Sequence, residues 1–362
     1  MNVLHLSRTM DQGGAEKIIF QLCSGTNDIF DNIVVASTGG VYVDKLKNNR
    51  VKHYVIPDMD KKNFFTIINI LIKILIIVKR EKINVIHSHH RMASFYARLV
   101  SIVFYKVSRL YTAHNIFHNK IKMTKFSLVN SEIIAVGEDV KKNLMTTFNI
   151  HEDNIQVIYN SISKPNVVDE RNGYLEKLKS QDYYLVGNIG RISEQKGMEY
   201  FIRAIGIAKG AVPNVKGIII GDGEQRKEME VLIAELNLAE DVILLGYQDN
   251  IFDCISQLDF AVLSSLWEGF PLTPIEVFSM GKTIIATDID GTNEIVENYY
   301  NGLLVPSKST NKLADAIIEL CLDSNLRYNL EKNAKLTYDK KFSYTNFLEE
   351  YKKSYIKYSQ SE

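Results

Sequence analysis

A chain of 362 residues has room for two domains of ordinary size. With 46% hydrophobic, 24% charged and 10% aromatic residues it is neither a disordered chain nor a coiled coil. Three widely spaced cysteines, Cys23, Cys254 and Cys321, exclude a disulfide scaffold and a zinc module and fit a reducing compartment. The formal net charge of zero conceals an asymmetry: residues 1–162 carry 21 Lys+Arg against 13 Asp+Glu, a net +8, and residues 163–362 carry 22 against 30, a net −8. The basic half therefore suits an anionic partner. Nucleic acid fits poorly, because no helix concentrates Lys and Arg with interleaved aromatics. A phospholipid surface or a lipid-phosphate acceptor fits better.

Taken in chain order, Met1 runs straight into Val3–Leu6, which reads as a first core strand and not as a signal peptide. Strand-like runs follow at Ile33–Ala36, Val85–His87, Leu110–Thr112, Ile133–Val136 and Ile155–Ile158. A second series comprises Tyr184–Ile189, Lys216–Ile220, Val242–Leu245, Phe260–Leu263 and Thr283–Ala286. Helical patterns such as Arg226–Leu236 and Asn311–Leu322 lie between them. This alternation predicts α/β domains, parallel sheets covered by helices on both faces, with ligands at the carboxyl ends of the strands.

The polar stretch Ser161–Asp182, with Pro165 and Asn172-Gly173, reads as the connection between the two series. The apolar run Phe64–Val78 is 15 residues long with Lys73 in its middle. As a helix it spans about 22 Å against a hydrocarbon core of about 30 Å, too short to cross. It reads as a helix packed in the domain, with an apolar face on a membrane surface as the other option. Near the end, Tyr344, Phe347, Leu348, Tyr351, Tyr355 and Tyr358 form one helical face that must pack against something.

Four loops carry candidate chemistry. Met10-Asp11-Gln12-Gly13-Gly14-Ala15-Glu16 joins the first strand to a helix over Ala15–Cys23. Its glycines suit a phosphate at a helix N-terminus, and equally a tight turn with no ligand. Gly190-Arg191 and Lys196-Gly197 place two cations on the loop after a strand, where they can clamp a diphosphate or stand in solvent. Gly221-Asp222-Gly223 marks another strand-to-helix turn. Glu268-Gly269-Phe270-Pro271-Leu272-Thr273-Pro274-Ile275-Glu276 sets two prolines at a helix start, leaving the amides of Leu272 and Thr273 to face an anion. Taken singly, Glu268 and Glu276 also read as a surface residue and a cap.

In this order, with Asn160, Gly281-Lys282 and Asn301-Gly302-Leu303-Leu304-Val305-Pro306, the motifs resemble the signature of family 4 glycosyltransferases along essentially the whole chain. The resemblance implies the GT-B fold, two Rossmann-like domains facing a central cleft: an acceptor-side domain over residues 1–162, a nucleotide-sugar-binding domain over 163–342, and a last helix over 343–362 returning to the first domain. It implies retaining transfer from a nucleotide-sugar donor, most often a UDP-sugar, to a glycan or lipid-linked acceptor. Synthesis of bacterial surface polysaccharide is the expected setting. The protein would be cytoplasmic, peripheral at the inner face of the cell membrane, with an anionic membrane surface as a further partner and nucleic acid as none.

By the same resemblance Glu268 contacts the donor sugar and Glu276 binds the ribose hydroxyls. Arg191 and Lys196 hold the diphosphate, and His114 lies near the donor sugar. Gly13, Gly14, Gly221, Gly223, Phe270, Pro271, Leu272 and Thr273 complete the expected substrate contacts. Ser161 and Ile162 depart from the commoner Gly and Val after Asn160, which touches hinge detail only.

No cofactor and no metal are expected. Asp58-Met59-Asp60 and Asp288-Ile289-Asp290 imitate an Asp-x-Asp metal motif, but the first sits in a polar loop after Pro57 and the second follows a strand and leads into Gly291-Thr292-Asn293-Glu294, which resembles a family loop; His87-Ser88-His89-His90 lacks a completing Cys or carboxylate and reads as strand-end histidines lining the cleft. The alternatives are a GT-B nucleotide-sugar epimerase and a non-catalytic nucleotide-sugar-binding partner of another transferase. The ordered Glu pair with both cations argues against each.

Overall fold

The structure, a computed structural model, describes residues 1–61, 63–163 and 172–359. The chain divides into two compact units, one of Met1–Ser163 with Tyr344–Glu362 and one of Lys164–Ser343. The first is built on β1 (Asn2–Leu6), β2 (Asn32–Ser37), β3 (Lys52–Val55), β4 (Val85–Ser88), β5 (Ser108–Ala113), β6 (Glu132–Ala135) and β7 (Ile155–Val157). These form one parallel sheet in the order β3-β2-β1-β4-β5-β6-β7, with Val3 opposite both Ile33 and Val85. The second unit carries β8 (Tyr184–Ile189), β9 (Val215–Ile220), β10 (Val242–Gly246), β11 (Phe260–Leu263), β12 (Ile284–Thr287) and β13 (Gly302–Val305), parallel in the order β10-β9-β8-β11-β12-β13. In each sheet the chain runs outward to one edge and then returns to the other side of its first strand, so the order reverses between β1 and β4 and between β8 and β11. Doubly wound sheets bind ligands at such points.

The apolar strand runs appear where the sequence places them, because strands covered on both faces read as continuous Val, Ile and Leu. Two strands escaped the sequence reading. In β3, Lys-His-Tyr-Val is an edge strand whose residues are all partly or fully exposed, so no apolar run marks it. In β13 a glycine opens a four-residue strand after a turn. Each sheet is covered by buried helix faces: Leu4, Val34 and Ile86 pack with Ile70, Ile74 and Tyr96 in the first unit. In the second, Val186, Ile219 and Phe260 pack with Phe201, Ile205 and Ile317.

The run Phe64–Val78 is a helix over Phe64–Arg80, opened by Asn63, whose side chain accepts from the Thr66 amide at 2.7 Å. It buries Ile70, Ile74, Ile77 and Val78 and leaves Phe64, Phe65, Ile68, Ile72 and Ile76 exposed. Among the described residues no helix is long and apolar enough to cross a membrane.

The supposed connection is shorter than its composition suggested. Asn172 caps a helix over Gly173–Lys179 through its side-chain oxygen on the amides of Tyr174 and Leu175, and Leu175 is fully buried. Asn172-Gly173 is thus a helix start of the second unit; Pro165 lies outside the described residues.

The helix Tyr344–Ser359 packs onto the sheet of the first unit. Phe347, Tyr351 and Tyr355 are buried, and Tyr344 donates to the Gln21 carbonyl at 3.1 Å. Tyr358 falls outside the described side chains.

A buried carboxylate ties the edge strand down. Glu81, just past the helix Phe64–Arg80, accepts from Lys52 Nζ (2.7 Å), Tyr54 Oη (2.5 Å) and Asn32 Nδ2 (2.9 Å). Hydrogen bonds from Lys52 and Tyr54 hold its carboxyl down at about 2. Its stabilising effect is therefore complete above the ordinary carboxylate range, near 4.5, and is lost as pH falls through about 2. Glu81→Gln should destabilise the first unit by about 1–3 kcal/mol at neutral pH, with the deficit shrinking as pH falls below the ordinary carboxylate range. Urea unfolding across pH measures it; a deficit that stays constant into acid would contradict the assignment.

Candidate active site

The second unit assembles most of the expected residues. β8 and β11 are parallel neighbours, with Val186 opposite Phe260 and Asn188 opposite Val262. Their following loops therefore leave the sheet side by side. The loop after β8 turns at Gly190, makes a short 3-10 turn over Glu194–Lys196, and enters the helix Met198–Ala208 through Gly197 at φ +54°. A Cβ on Gly197 would stand 2.5 Å from the Ser264 carbonyl oxygen, so only glycine lets the two loops close.

That closeness makes an ion pair. Lys196 Nζ lies 2.6 Å from Glu268 Oε1, with side chains 15% and 7% exposed. Ser265 Oγ donates to the same oxygen at 2.6 Å, and Gln195 Nε2 donates to Oε2 at 3.2 Å and to the Trp267 carbonyl at 3.0 Å. Beneath them Asn188 Nδ2 donates to Ser264 Oγ, which donates to the Lys196 carbonyl, both at 2.9 Å. Sequence reasoning assigned no role to Gln195, Ser264, Ser265 or Asn188. Asn188 within an apolar strand was the one visible signal, a polar residue that needs a partner once buried.

Arg191 is placed differently. Its side chain is 67% exposed and pairs with Glu224 at 2.9 Å, on the loop that also carries Gly221 and Gly223. At Gly221, φ is +143° and a Cβ would meet the Gly190 carbonyl oxygen at 2.0 Å, which packs this loop against the Arg191 loop.

The helix Leu272–Ser279 begins at Pro271 without any side-chain cap. Pro274 lacks an amide, leaving Leu272 and Thr273 as the open donors of the first turn. Thr273 Oγ1 donates to the Ile189 carbonyl at 3.4 Å, seating the helix start over the end of β8. Glu276 is buried on this helix. Phe270 is also buried, its ring against Phe342, so its side chain serves packing; contact with a ligand would fall to its backbone.

In the first unit, Gly14 opens the helix Gly14–Gly25 and Gly13 caps it with ordinary extended backbone. The space above Gly13 holds the Glu16 carboxylate, which a Cβ there would meet at 2.2 Å. Thr9 Oγ1 donates to that carboxylate at 2.7 Å, and burial pushes its pKa up. Gly13 thus makes room for Glu16. His114, just after β5, stands with Nε2 3.1 Å from His89 Nδ1.

The Asp-x-Asp look-alikes have other partners. Asp58 and Asp60 pair with Arg8 at 3.3 and 3.2 Å, and Asp288 accepts from Asn293 at 3.3 Å. His5, which the sequence reading passed over, joins His87 and His89 in a buried group with ring nitrogens within 4.8 Å of one another. The His87 nitrogens already face Thr112 Oγ1 and Tyr355 Oη at 2.8 and 2.6 Å, which fits a hydrogen-bond network better than a metal site.

Comparison with known proteins follows the same division. The model for glycosyltransferase family 4 matches residues 3–164, and that for glycosyl transferases group 1 matches residues 172–337. An uncharacterized glycosyltransferase of Methanocaldococcus jannaschii is 30% identical over 83% of this chain and 84% of its own. The UDP-Gal:alpha-D-GlcNAc-diphosphoundecaprenol alpha-1,3-galactosyltransferase of Escherichia coli is 24% identical over 85% of this chain and 84% of its own. Against two other relatives the match spans only 58% and 41% of their length. Among solved structures, HepE of Anabaena in complex with UDP and glucose superposes with a TM-score of 0.86 over 99% of this chain and 100% of its own, at 19% identity.

The buried ion pair generates a stability test. Lys196→Met strands a buried carboxylate and should cost about 3 kcal/mol. Adding Glu268→Gln in the same chain should restore most of it, since Ser265 and Gln195 still have a partner. Denaturant unfolding of both variants reads the coupling; simple additivity of the two losses would mean the pair is not the organising contact.

Proposed function

The chain belongs to the family 4 glycosyltransferases, with the GT-B fold, and on that premise we propose that it moves a sugar from a UDP-sugar to a glycan or lipid-linked acceptor with retention of configuration. The observation that carries the reading is the Lys196–Glu268 pair beside the uncapped start of the helix Leu272–Ser279. Cleaving a sugar–phosphate bond loads negative charge on the departing diphosphate. Lys196, Arg191 and the open amides of Leu272 and Thr273 supply fixed positive charge and dipole to receive it. One preorganised donor of this kind is worth roughly 3–4 kcal/mol of barrier. Arg191 is exposed and free to turn from Glu224 onto a phosphate. Glu268, oriented by Lys196, Ser265 and Gln195, is assigned to the donor sugar, Glu276 to the ribose hydroxyls, and His114 on the first unit to the donor sugar as well.

The Escherichia coli relative takes UDP-Gal and forms an alpha-1,3 linkage to a diphosphoundecaprenol-linked sugar. An alpha product from an alpha-configured nucleotide sugar is retention, and such an acceptor resides in a membrane. Both features are carried to this chain as proposals. Transfer to a lipid-linked glycan in bacterial surface polysaccharide synthesis, on the cytoplasmic side, is the setting they imply.

With UDP-sugars and a lipid-linked glycan acceptor in excess EDTA, transfer should continue, and proton NMR should show the anomeric configuration kept. Glu276→Gln should raise the donor KM and lower turnover about ten-fold or more, the loss of one charge-assisted contact. Activity abolished by EDTA and restored by manganese would refute the metal-independent reading. An inverted product would refute retention, and an unchanged KM in the variant would refute the ribose contact.

The first unit supports a second element of the proposal, contact with a membrane surface. The exposed stripe Phe64, Phe65, Ile68, Ile72 and Ile76 runs along one helix that ends in Lys79 and Arg80, on the half with net charge +8. Apolar side chains can enter the headgroup region while the basic residues meet anionic lipid. The protein should sediment with vesicles containing phosphatidylglycerol, less so as salt rises, and Phe64→Ser/Phe65→Ser should weaken the binding. Equal binding to neutral and anionic vesicles would contradict it.

A further inference from the structure

The first unit contains a row of three histidines, of which only His114 has been given a role so far. His5 Nδ1 lies 3.0 Å from His89 Nε2, and His89 Nδ1 lies 3.1 Å from His114 Nε2. The His5 and His89 rings are stacked with centroids 5.3 Å apart, and those of His89 and His114 with centroids 5.4 Å apart. His5 and His89 are buried, while His114 closes the row at the end of β5.

Proton counting gives this row a direction. Burial depresses the pKa of His5 to about 3 and of His114 to about 4, and holds His89 well below its ordinary range. Each ring is therefore neutral near pH 7 and carries one N–H. Three rings in two contacts then admit two arrangements, since each contact needs one donor and one acceptor. In the first, every ring is protonated at Nδ1: His5 donates to His89, and His89 donates to His114. In the second, every ring is protonated at Nε2 and the donation runs the other way.

The far end decides between them. His5 Nε2 is sealed from solvent and has no hydrogen-bond partner among the described residues. The second arrangement would bury an N–H there with nothing to receive it, whereas the first leaves only a bare lone pair. Orphaned buried donors are the rarer and costlier state. The first arrangement therefore prevails, and His114 keeps its proton on Nδ1, the nitrogen without a partner among the described residues.

We propose that His5 and His89 are positioning residues that lock His114 in the Nδ1–H tautomer, so that it presents a hydrogen-bond donor to a ligand hydroxyl or oxyanion. The tautomer of a working histidine is set by the bond its other nitrogen makes; here that bond is relayed through a second imidazole to a third. The remaining histidine of the cluster, His87, takes no part in the relay. Its nitrogens face Thr112 and Tyr355, and Tyr351 Oη lies 3.2 Å from Thr112 Oγ1. A metal would find few free nitrogens here, since His89 also uses both of its own.

The test is spectroscopic first. The full-length protein, labelled with nitrogen-15 at its eight histidines, gives a two-bond proton–nitrogen pattern for each ring, assigned by single His→Gln or His→Asn changes. His5, His89 and His114 are expected in the Nδ1–H form at pH 7 without any substrate. An Nε2–H pattern at His114, or a charged ring in the row, overturns the proposal. Loss of that pattern on adding a slight excess of zinc also overturns it in favour of a metal site.

The second arm is functional. His5→Leu removes the first donor but leaves His89 Nε2 as a sealed bare lone pair, so His114 should keep the Nδ1–H form. His5→Glu sets a carboxylate acceptor against His89 Nε2, which draws the proton to that nitrogen and should turn His114 to the Nε2–H form. If the transferase reading holds, turnover falls about ten-fold in His5→Glu with donor KM little changed, the scale of losing an outer partner of a working histidine. A His114 left in the Nδ1–H form in a folded His5→Glu protein would sink the relay. Normal tautomers with no sugar transfer under any condition would instead count against the transferase reading and leave the relay standing.

Discussion

Everything at the candidate site depends on β8 and β11 being parallel neighbours. Parallel strands release their following loops at the same edge of the sheet, and the reversal of strand order leaves no strand between these two. The loop bearing Lys196 and the loop bearing Glu268 are thereby held within reach although 72 residues separate them in sequence. Gly197 removes the one obstacle to their approach, and Ser264 and Asn188 fasten them from below. The buried charge pair is then a consequence: Glu268, once covered, is met by Lys196, Ser265 and Gln195, which offset the cost of burying it. The same anchoring fixes the start of the helix Leu272–Ser279, because Thr273 holds the end of β8.

The first unit repeats the architecture with different contents. Its first strand ends near a glycine loop whose inner space is filled by Glu16, and its buried interior holds imidazoles. Such a polar row survives burial only by satisfying itself, ring to ring and ring to hydroxyl. Two of the hydroxyls come from Tyr351 and Tyr355, so the C-terminal helix is joined to the sheet by hydrogen bonds as well as by packing.

Much of this architecture was legible in the sequence. The doubly wound class followed from strands that are apolar throughout, and the loop motifs located Lys196, Glu268 and Glu276 on the elements where they stand. What escaped has physical reasons. The edge strand β3 is anchored in part by the carboxylate of Glu81, which only the fold brings to Lys52, Tyr54 and Asn32, and its own residues lack an apolar signature. The helix Gly173–Lys179 is short and mostly exposed, so composition hid it. Arg191 and Lys196 look equivalent in sequence, yet one is solvated and the other paired in a covered site, because that depends on which loop packs above each. Phe270 lies in the expected ligand-binding motif with its side chain packed against Phe342, a burial the motif alone does not reveal. The histidine row could not be assembled at all, since His5 and His89 meet only through the pairing of β1 with β4.

The helix Tyr344–Ser359 has one more consequence, for the order in which the molecule is made. During synthesis the strands of the first unit emerge early, but Tyr351 and Tyr355 follow only after the whole of residues 164–343. Until then His87 and Thr112 lack the hydroxyls that satisfy them, and the apolar ground beneath Phe347 lies open. The second unit carries no such debt and can close as soon as its own last helix appears. The half translated first is therefore completed last, and a nascent or prematurely terminated chain exposes a polar-lined apolar trough to chaperones and proteases while its other half is already folded.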